Sequence, residues 1–167
     1  MRAYRADPDF ASPVTLDEVK ANARVDGDFE DQLIAQLILA AHERAEQETG
    51  LIFGEGEWII EASPYRDFTL PIWPVLSVDS VLGGVDPFTD YTLARQNRSV
   101  ILSSGAWPEA VTIRVQAGMP MPHTVRQAII LMASWWYDMR ATAAEGNMQE
   151  IPYGATALLG LNRRMFA

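Results

Sequence analysis

His42 and Glu46 stand four residues apart in "AAHERAEQ", a spacing that sets both on one face of a helix and could bring two metal ligands together. Metal chemistry asks for more than this. There is no HExxH pattern, and the second histidine, His123, lies far along the chain. Cysteine is absent, which excludes thiol catalysis, disulfides and Cys-ligated zinc. The His42–Glu46 pair is therefore read as part of a solvated helix face, and His42 as dispensable for chemistry. His123, which follows Pro122, is read as a helix-start residue rather than a general base.

Other constellations weaken in the same way. "VDGDFED" gathers carboxylates around Gly27 but lacks the alternating acidic order and the closing bidentate Glu of a calcium loop. Gly83 and Gly84 have no phosphate-loop lysine and no GxGxxG spacing, so they mark a turn. No GxSxG elbow occurs. Trp135, Trp136 and Tyr137 could stack on bases, but little positive charge lies near them, and a core or subunit-interface role is preferred. No catalytic residue, metal site or cofactor is expected.

The bulk properties narrow the class. The 167 residues suffice for a sizeable core, and 49% hydrophobic with 21% charged residues is ordinary for a globular chain. No apolar leader is visible at the start, and "AIILMASWWY" is too short to span a bilayer, so a soluble chain made inside a cell is expected, with no membrane partner. A net charge of −9 with a single lysine, Lys20, argues against phosphate binding except through a local arginine patch.

The elements follow from local patterning. Thr15 and Glu18 have capping-box spacing, with Val14 and Val19 as a staple, and predict a short helix over 16–24. Asp28 is a candidate N-cap for a longer helix carrying Leu33, Ile34, Leu37, Ile38, Ala41 and Ala45 as one stripe, with Glu43 and Gln47 on the solvated face and Gly50 closing it. Over 51–118, runs such as "EGEWIIEAS", "RDFTLPI", "SVDSVLG", "DYTLARQ", "SVILSS" and "AVTIRVQAG" read as five or six antiparallel strands in a small sheet or sandwich. A long apolar-faced helix follows over 123–145. The order helix, helix, sheet, helix, tail is α+β: an N-terminal helix pair and the long helix packed together, with the sheet inserted between them and an extended C-terminal tail. The division expected is a core over 1–150 and a tail over 151–167.

That tail, "IPYGATALLGLNRRMFA", is basic and apolar in a chain that is acidic elsewhere. Leu158, Leu159, Leu161 and Phe166 need burial, and Arg163 and Arg164 can pair with carboxylates. The two readings are docking on another protein and packing back on the same subunit. On the first, deleting 151–167 leaves the core folded and Leu158→Asp with Leu159→Asp mimics the deletion.

Taken together, "TLDEVKANARVDGDFEDQLIAQLILAAHERAEQETG", "LPIWPVLSVDSV", "GMPMPHTVRQAIILMASWWYDMR" and "IPYGATALLGLNRR" resemble the head–tail connector (adaptor) proteins of tailed bacteriophages and phage-like gene transfer agents. The resemblance covers most of the chain and rests on the order and spacing of these segments. It implies a non-enzymatic virion neck protein, assembled in the host cytoplasm, whose copies form a ring of roughly a dozen in head-to-tail contact. It implies as partners the portal protein, a head-completion (stopper) or tail protein, other copies of itself, and DNA that passes through without specific binding. The portal-docking residues it implies are Ile151, Pro152, Tyr153, Leu158, Leu159, Leu161, Arg163, Arg164 and Phe166. The competing readings are a monomeric tail-completion or assembly module and, further off, a small enzyme using His42.

Overall fold

A computed structural model describes residues 1–96, 99–142 and 153–163. In chain order the elements are β1 (Arg2–Arg5), α1 (Leu16–Ala23), α2 (Asp31–Thr49), β2 (Gly56–Ala62), β3 (Phe68–Thr69), β4 (Val75–Gly83), β5 (Asp86–Pro87), β6 (Thr92–Gln96), β7 (Ser99–Ser103), β8 (Val111–Ala117), α3 (His123–Thr142) and α4 (Tyr153–Gly160). The class is α+β, as expected. The chain divides into two compact units: a β unit holding residues 1–10 and 51–120, and a helical unit holding 11–50, 121–142 and 153–163.

In the β unit a five-stranded antiparallel sheet runs in the order β1-β2-β8-β4-β5, and a three-stranded one in the order β3-β7-β6. β8 is central because it alternates cleanly: Val111, Ile113, Val115 and Ala117 are all buried. On one side Trp58 and Ile60 of β2 face Val115 and Ile113. On the other, β4 supplies Val75, Val78 and Val81, which recur every third residue and so break the strand period of two. Register shifts between Val75 and Ser77 and between Val78 and Ser80 absorb the mismatch, setting the three valines opposite Ala117, Val115 and Ile113. Arg95 of β6 donates to the carbonyls of Val75 and Leu76 at 2.8 and 2.7 Å, satisfying β4 backbone groups beside the first bulge. All six strands read from the sequence are present, and β1 and β5 add to them.

At the base of this unit the backbone turns tightly. Met119 donates to Ile52 and accepts from Gly54, at 3.1 and 2.9 Å, while Gly118 donates to Pro74 at 2.9 Å. Gly118 sits at φ +124°, where a Cβ would stand 2.3 Å from the Gly54 carbonyl oxygen. Only glycine fits this crossing. β1 is pinned by Arg5, whose guanidinium lies 3.7 Å from the Phe10 ring centroid and 4.8 Å from that of Trp58, and donates to the Phe53 carbonyl at 3.0 Å.

The helical unit begins with the capping box: the Glu18 amide donates to Thr15 Oγ1 at 3.4 Å, and the Thr15 amide to Glu18 Oε2 at 2.8 Å. Val14 and Val19 are both buried. α2 starts later than expected, at Asp31 with Glu30 in the cap position and no side-chain cap bond, so Asp28 is not the N-cap. Its neighbours are drawn elsewhere: Glu30 accepts from the Tyr137 hydroxyl of α3, and Asp31 pairs with Lys20 at 2.7 Å. Ile34, Ile38, Ala41 and Ala45 of α2 share a core with Val125, Ala128, Ile129 and Met132 of α3. Among the described residues no helix is long and apolar enough to cross a membrane.

Glu18 serves twice, for Arg126 of α3 donates to its two carboxylate oxygens through Nε and Nη2 at 2.8 and 2.7 Å. The Arg126 fork, with the Thr15 amide second, lowers the Glu18 pKa from its ordinary 4.5 to about 2. A depressed carboxylate pKa stabilises the fold at pH values above the unfolded value, and that contribution is lost as pH falls from about 4.5 towards 2. The pair is one-third exposed, so solvent screening reduces its worth to about 1–2 kcal/mol. Arg126→Ala is expected to lower stability by that amount at neutral pH and to flatten the acid limb of a melting-temperature profile between pH 5 and 2. An unchanged acid limb would show that Glu18 is not held by Arg126.

Candidate partner-docking surface

The tail expected to be extended is helical over Tyr153–Gly160. In "YGATALLG" the small and apolar Ala155, Leu158 and Leu159 recur at helical spacing, and α4 lays that stripe on α3 and α2. Ala155 is wholly buried, Leu159 is 2% exposed and Leu158 is half-buried. Just beyond, Asn162 Nδ2 donates to Thr124 Oγ1 at 2.7 Å and to the Leu158 carbonyl at 3.3 Å, fastening the end of α4 to α3. Arg163 donates to the Glu48 carboxylate at 3.1 Å, so a carboxylate of its own chain meets it.

Of the nine residues singled out in the sequence, the five described do not share one exposed surface. Leu159 belongs to the helical unit's own core, because burial of a leucine outweighs an extended, solvated backbone wherever an apolar groove lies within reach. Tyr153 and Leu161 are 88% and 75% exposed and remain presented outward. Ile151, Pro152, Arg164 and Phe166 lie outside the described residues.

His42 corrects a second expectation. It is not solvated: it is 2% exposed, on the buried stripe of α2 between Ile38 and Ala45. Its Nδ1 lies 3.1 Å from Ser12 Oγ and its Nε2 3.2 Å from Glu46 Oε1. Ser12 Oγ also accepts from the Val14 amide at 3.3 Å, so the group ties the segment preceding α1 to α2. A Ser–His–Glu sequence of contacts can activate a hydroxyl only where substrate reaches it. Here the histidine is closed off, and the two open grooves described lie in the β unit, along residues 61–68 and 110–112. Among the described residues no three His, Asp or Glu side chains are grouped to hold a metal.

The acidic loop ahead of α2 was read as capping structure, and its carboxylates do structural work of another kind. Asp31 and Glu30 are engaged by Lys20 and Tyr137. Between them and Gly27, Phe29 is fully exposed. Composition gave no warning of this, since an isolated Phe in a short loop is as readily a staple as a knob. Trp135 and Trp136 are half-buried on α3.

Comparison with known proteins bears on the whole arrangement. Residues 13–70 match the family model described as "Phage gp6-like head-tail connector protein", which covers α1, α2 and the start of the β unit. No curated protein matches the chain. The fold is similar over 100% of this chain and 97% of the other to a chain in "Neck of empty GTA particle computed with C6 symmetry", with TM-score 0.78 and 22% identity. A chain of "Virion of native gene transfer agent (GTA) particle" superposes with TM-score 0.74 at 21% identity, again over 100% and 97% of the two chains. A third, from "Neck of native GTA particle computed with C12 symmetry", gives TM-score 0.68 at 22% identity with the same coverage. The resemblance read from the sequence is borne out: by the family model over residues 13–70, and by fold over the full length.

Proposed function

We propose that this chain is a structural, non-enzymatic protein of a virion neck, of the head–tail connector kind, acting as part of an oligomeric ring at the junction of head and tail. The observation that carries the reading is the full-length fold similarity to a neck chain, joined with the connector-family match over 13–70. The chain adds features of its own that suit the role. α4 is anchored by Leu159 and Asn162 and leaves Tyr153 at its start and Leu161 just past its end exposed, two apolar side chains on a rigid support that a portal protein can cover. A net charge of −9 suits a ring through which DNA slides without being gripped. The second contact, with a stopper or tail protein, would then use surfaces other than α4.

Negative-stain imaging of the purified chain, alone and mixed with portal-bearing heads that lack it, tests this. Rings of about twelve copies seated at the portal vertex are expected. Heads that remain bare at that vertex would refute the neck assignment, and density of one or two copies would favour a monomeric assembly module.

A further inference from the structure

We propose that Phe29 and its acidic loop on one copy dock into the groove lined by Met1, Ala62, Pro64, Tyr65, Arg66 and Phe68 on a second copy of this chain. The inference rests on the ring reading above and names the two surfaces that would meet within it.

The knob is built to be presented. Phe29 is 103% exposed, yet the residues after it are fixed: Lys20 holds Asp31 at 2.7 Å, Tyr137 donates to Glu30, and the Asp31 amide donates to the Asp28 carbonyl at 3.2 Å. An aromatic ring held out on an anchored loop loses little freedom when a partner covers it. Asp26 and Asp28 stand exposed beside it, and neither is in an ion pair among the described residues.

The groove is apolar, with cations at its rim. It encloses about 330 Å³ at the end of β2 and the start of β3, and a second open groove of about 510 Å³ adjoins it through Met1, Ala62 and Ser63. Met1 and Tyr65 are 68% and 83% exposed. Arg66 lies 5.3 Å from the Tyr65 ring centroid and Arg2 5.3 Å from that of Tyr4. Most other described cations are committed: Lys20, Arg44, Arg114, Arg126 and Arg163 to carboxylates, Arg5 and Arg95 to backbone carbonyls. Among the described residues Arg2, Arg24 and Arg66 have no carboxylate within 4 Å. Two acids share the rim: Asp67, and Glu61, which stands in register with Arg2 and accepts from the Tyr4 hydroxyl at 3.0 Å.

Copies that each carry −9 repel one another, so free cations are most useful where copies touch. A contact between two different patches is also heterologous, the type that propagates around a ring.

The absence of cysteine makes the test clean. Phe29→Cys with Tyr65→Cys in one chain, treated with a short bis-maleimide on the ring-bearing heads, is expected to give a covalent ladder of many copies. Each single variant should stay monomeric on a denaturing gel, and an equal mixture of the two should give a dimer. Both positions are exposed, so the variants should melt with the parent. Assembled rings in which the double variant gives no more adduct than either single variant would overturn this contact and leave the ring reading intact. Equal adducts from Phe29→Cys alone would overturn it in favour of a two-fold contact between knobs. A chain that never assembles, alone or on heads, would overturn both. Arg66→Glu should weaken self-association at least tenfold, and Asp28→Arg on the neighbouring copy should restore it.

Discussion

Leu159→Asp is expected to lower the stability of the helical unit by about 4 kcal/mol, from lost burial of a leucine and an unpaired buried charge. The motive is its position, 2% exposed beneath α4 and against α3. Leu161→Asp, at a position 75% exposed, is expected to change stability by no more than about 0.5 kcal/mol while abolishing attachment to portal-bearing heads. Thermal unfolding and a head-attachment assay separate the two effects. Parent-like melting of Leu159→Asp would show that α4 does not pack on its own unit. Normal attachment by Leu161→Asp with Tyr153→Asp would show that the outer side of α4 is not the portal contact. Deleting 151–167 is likewise expected to destabilise the helical unit, because the deletion removes Ala155 and Leu159 from its core. That departs from the docking reading of the sequence, on which the deletion leaves the core folded, and follows its alternative, a tail packed back on the same subunit.

Gly118→Ala is expected to cost the β unit about 3 kcal/mol or more, the combined effect of a left-handed backbone and a steric clash. A Cβ there would meet Gly54 oxygen at 2.3 Å, Gly54 carbonyl carbon at 2.8 Å and Glu55 Cα at 2.9 Å, all backbone atoms with no freedom to rotate away. Gly84→Ala isolates the conformational part. Its φ is +71° but nothing lies within 4 Å, so about 1 kcal/mol is expected. Chemical denaturation of the two variants beside the parent checks the difference. Equal effects would mean that the crossing of Gly54 and Gly118 is looser than the geometry shows.

The parts of this molecule legible in the sequence are those set by neighbours along the chain. The Thr15–Glu18 capping box, the α2 stripe closed by Gly50, the start of α3 at His123 and the alternation of β8 were all readable, because capping and periodicity act within a few residues. The connector resemblance was readable from the order and spacing of the same segments.

What the tertiary structure decided was which side chains found a partner far away. "RAYR" shows no apolar alternation, and it is a strand only because β2 pairs with it and Arg5 reaches Phe53, Phe10 and Trp58. His42 had a signal in the sequence, since it stands four residues after Ile38 and three before Ala45. Its polarity concealed that Ser12 and Glu46 would satisfy it in the interior. In the tail, Leu159 and Leu161 have the same chemistry and differ by two positions, yet α4 turns Leu159 onto its own unit while Leu161, in the turn just past the helix, stays in solvent. Phe29 is the converse: a large apolar residue left outside because its neighbours are tied down by Lys20 and Tyr137. Residue type fixes how much free energy burial can supply, but whether a groove exists to receive the side chain depends on elements a hundred residues distant, as the Tyr137–Glu30 contact across 107 positions illustrates.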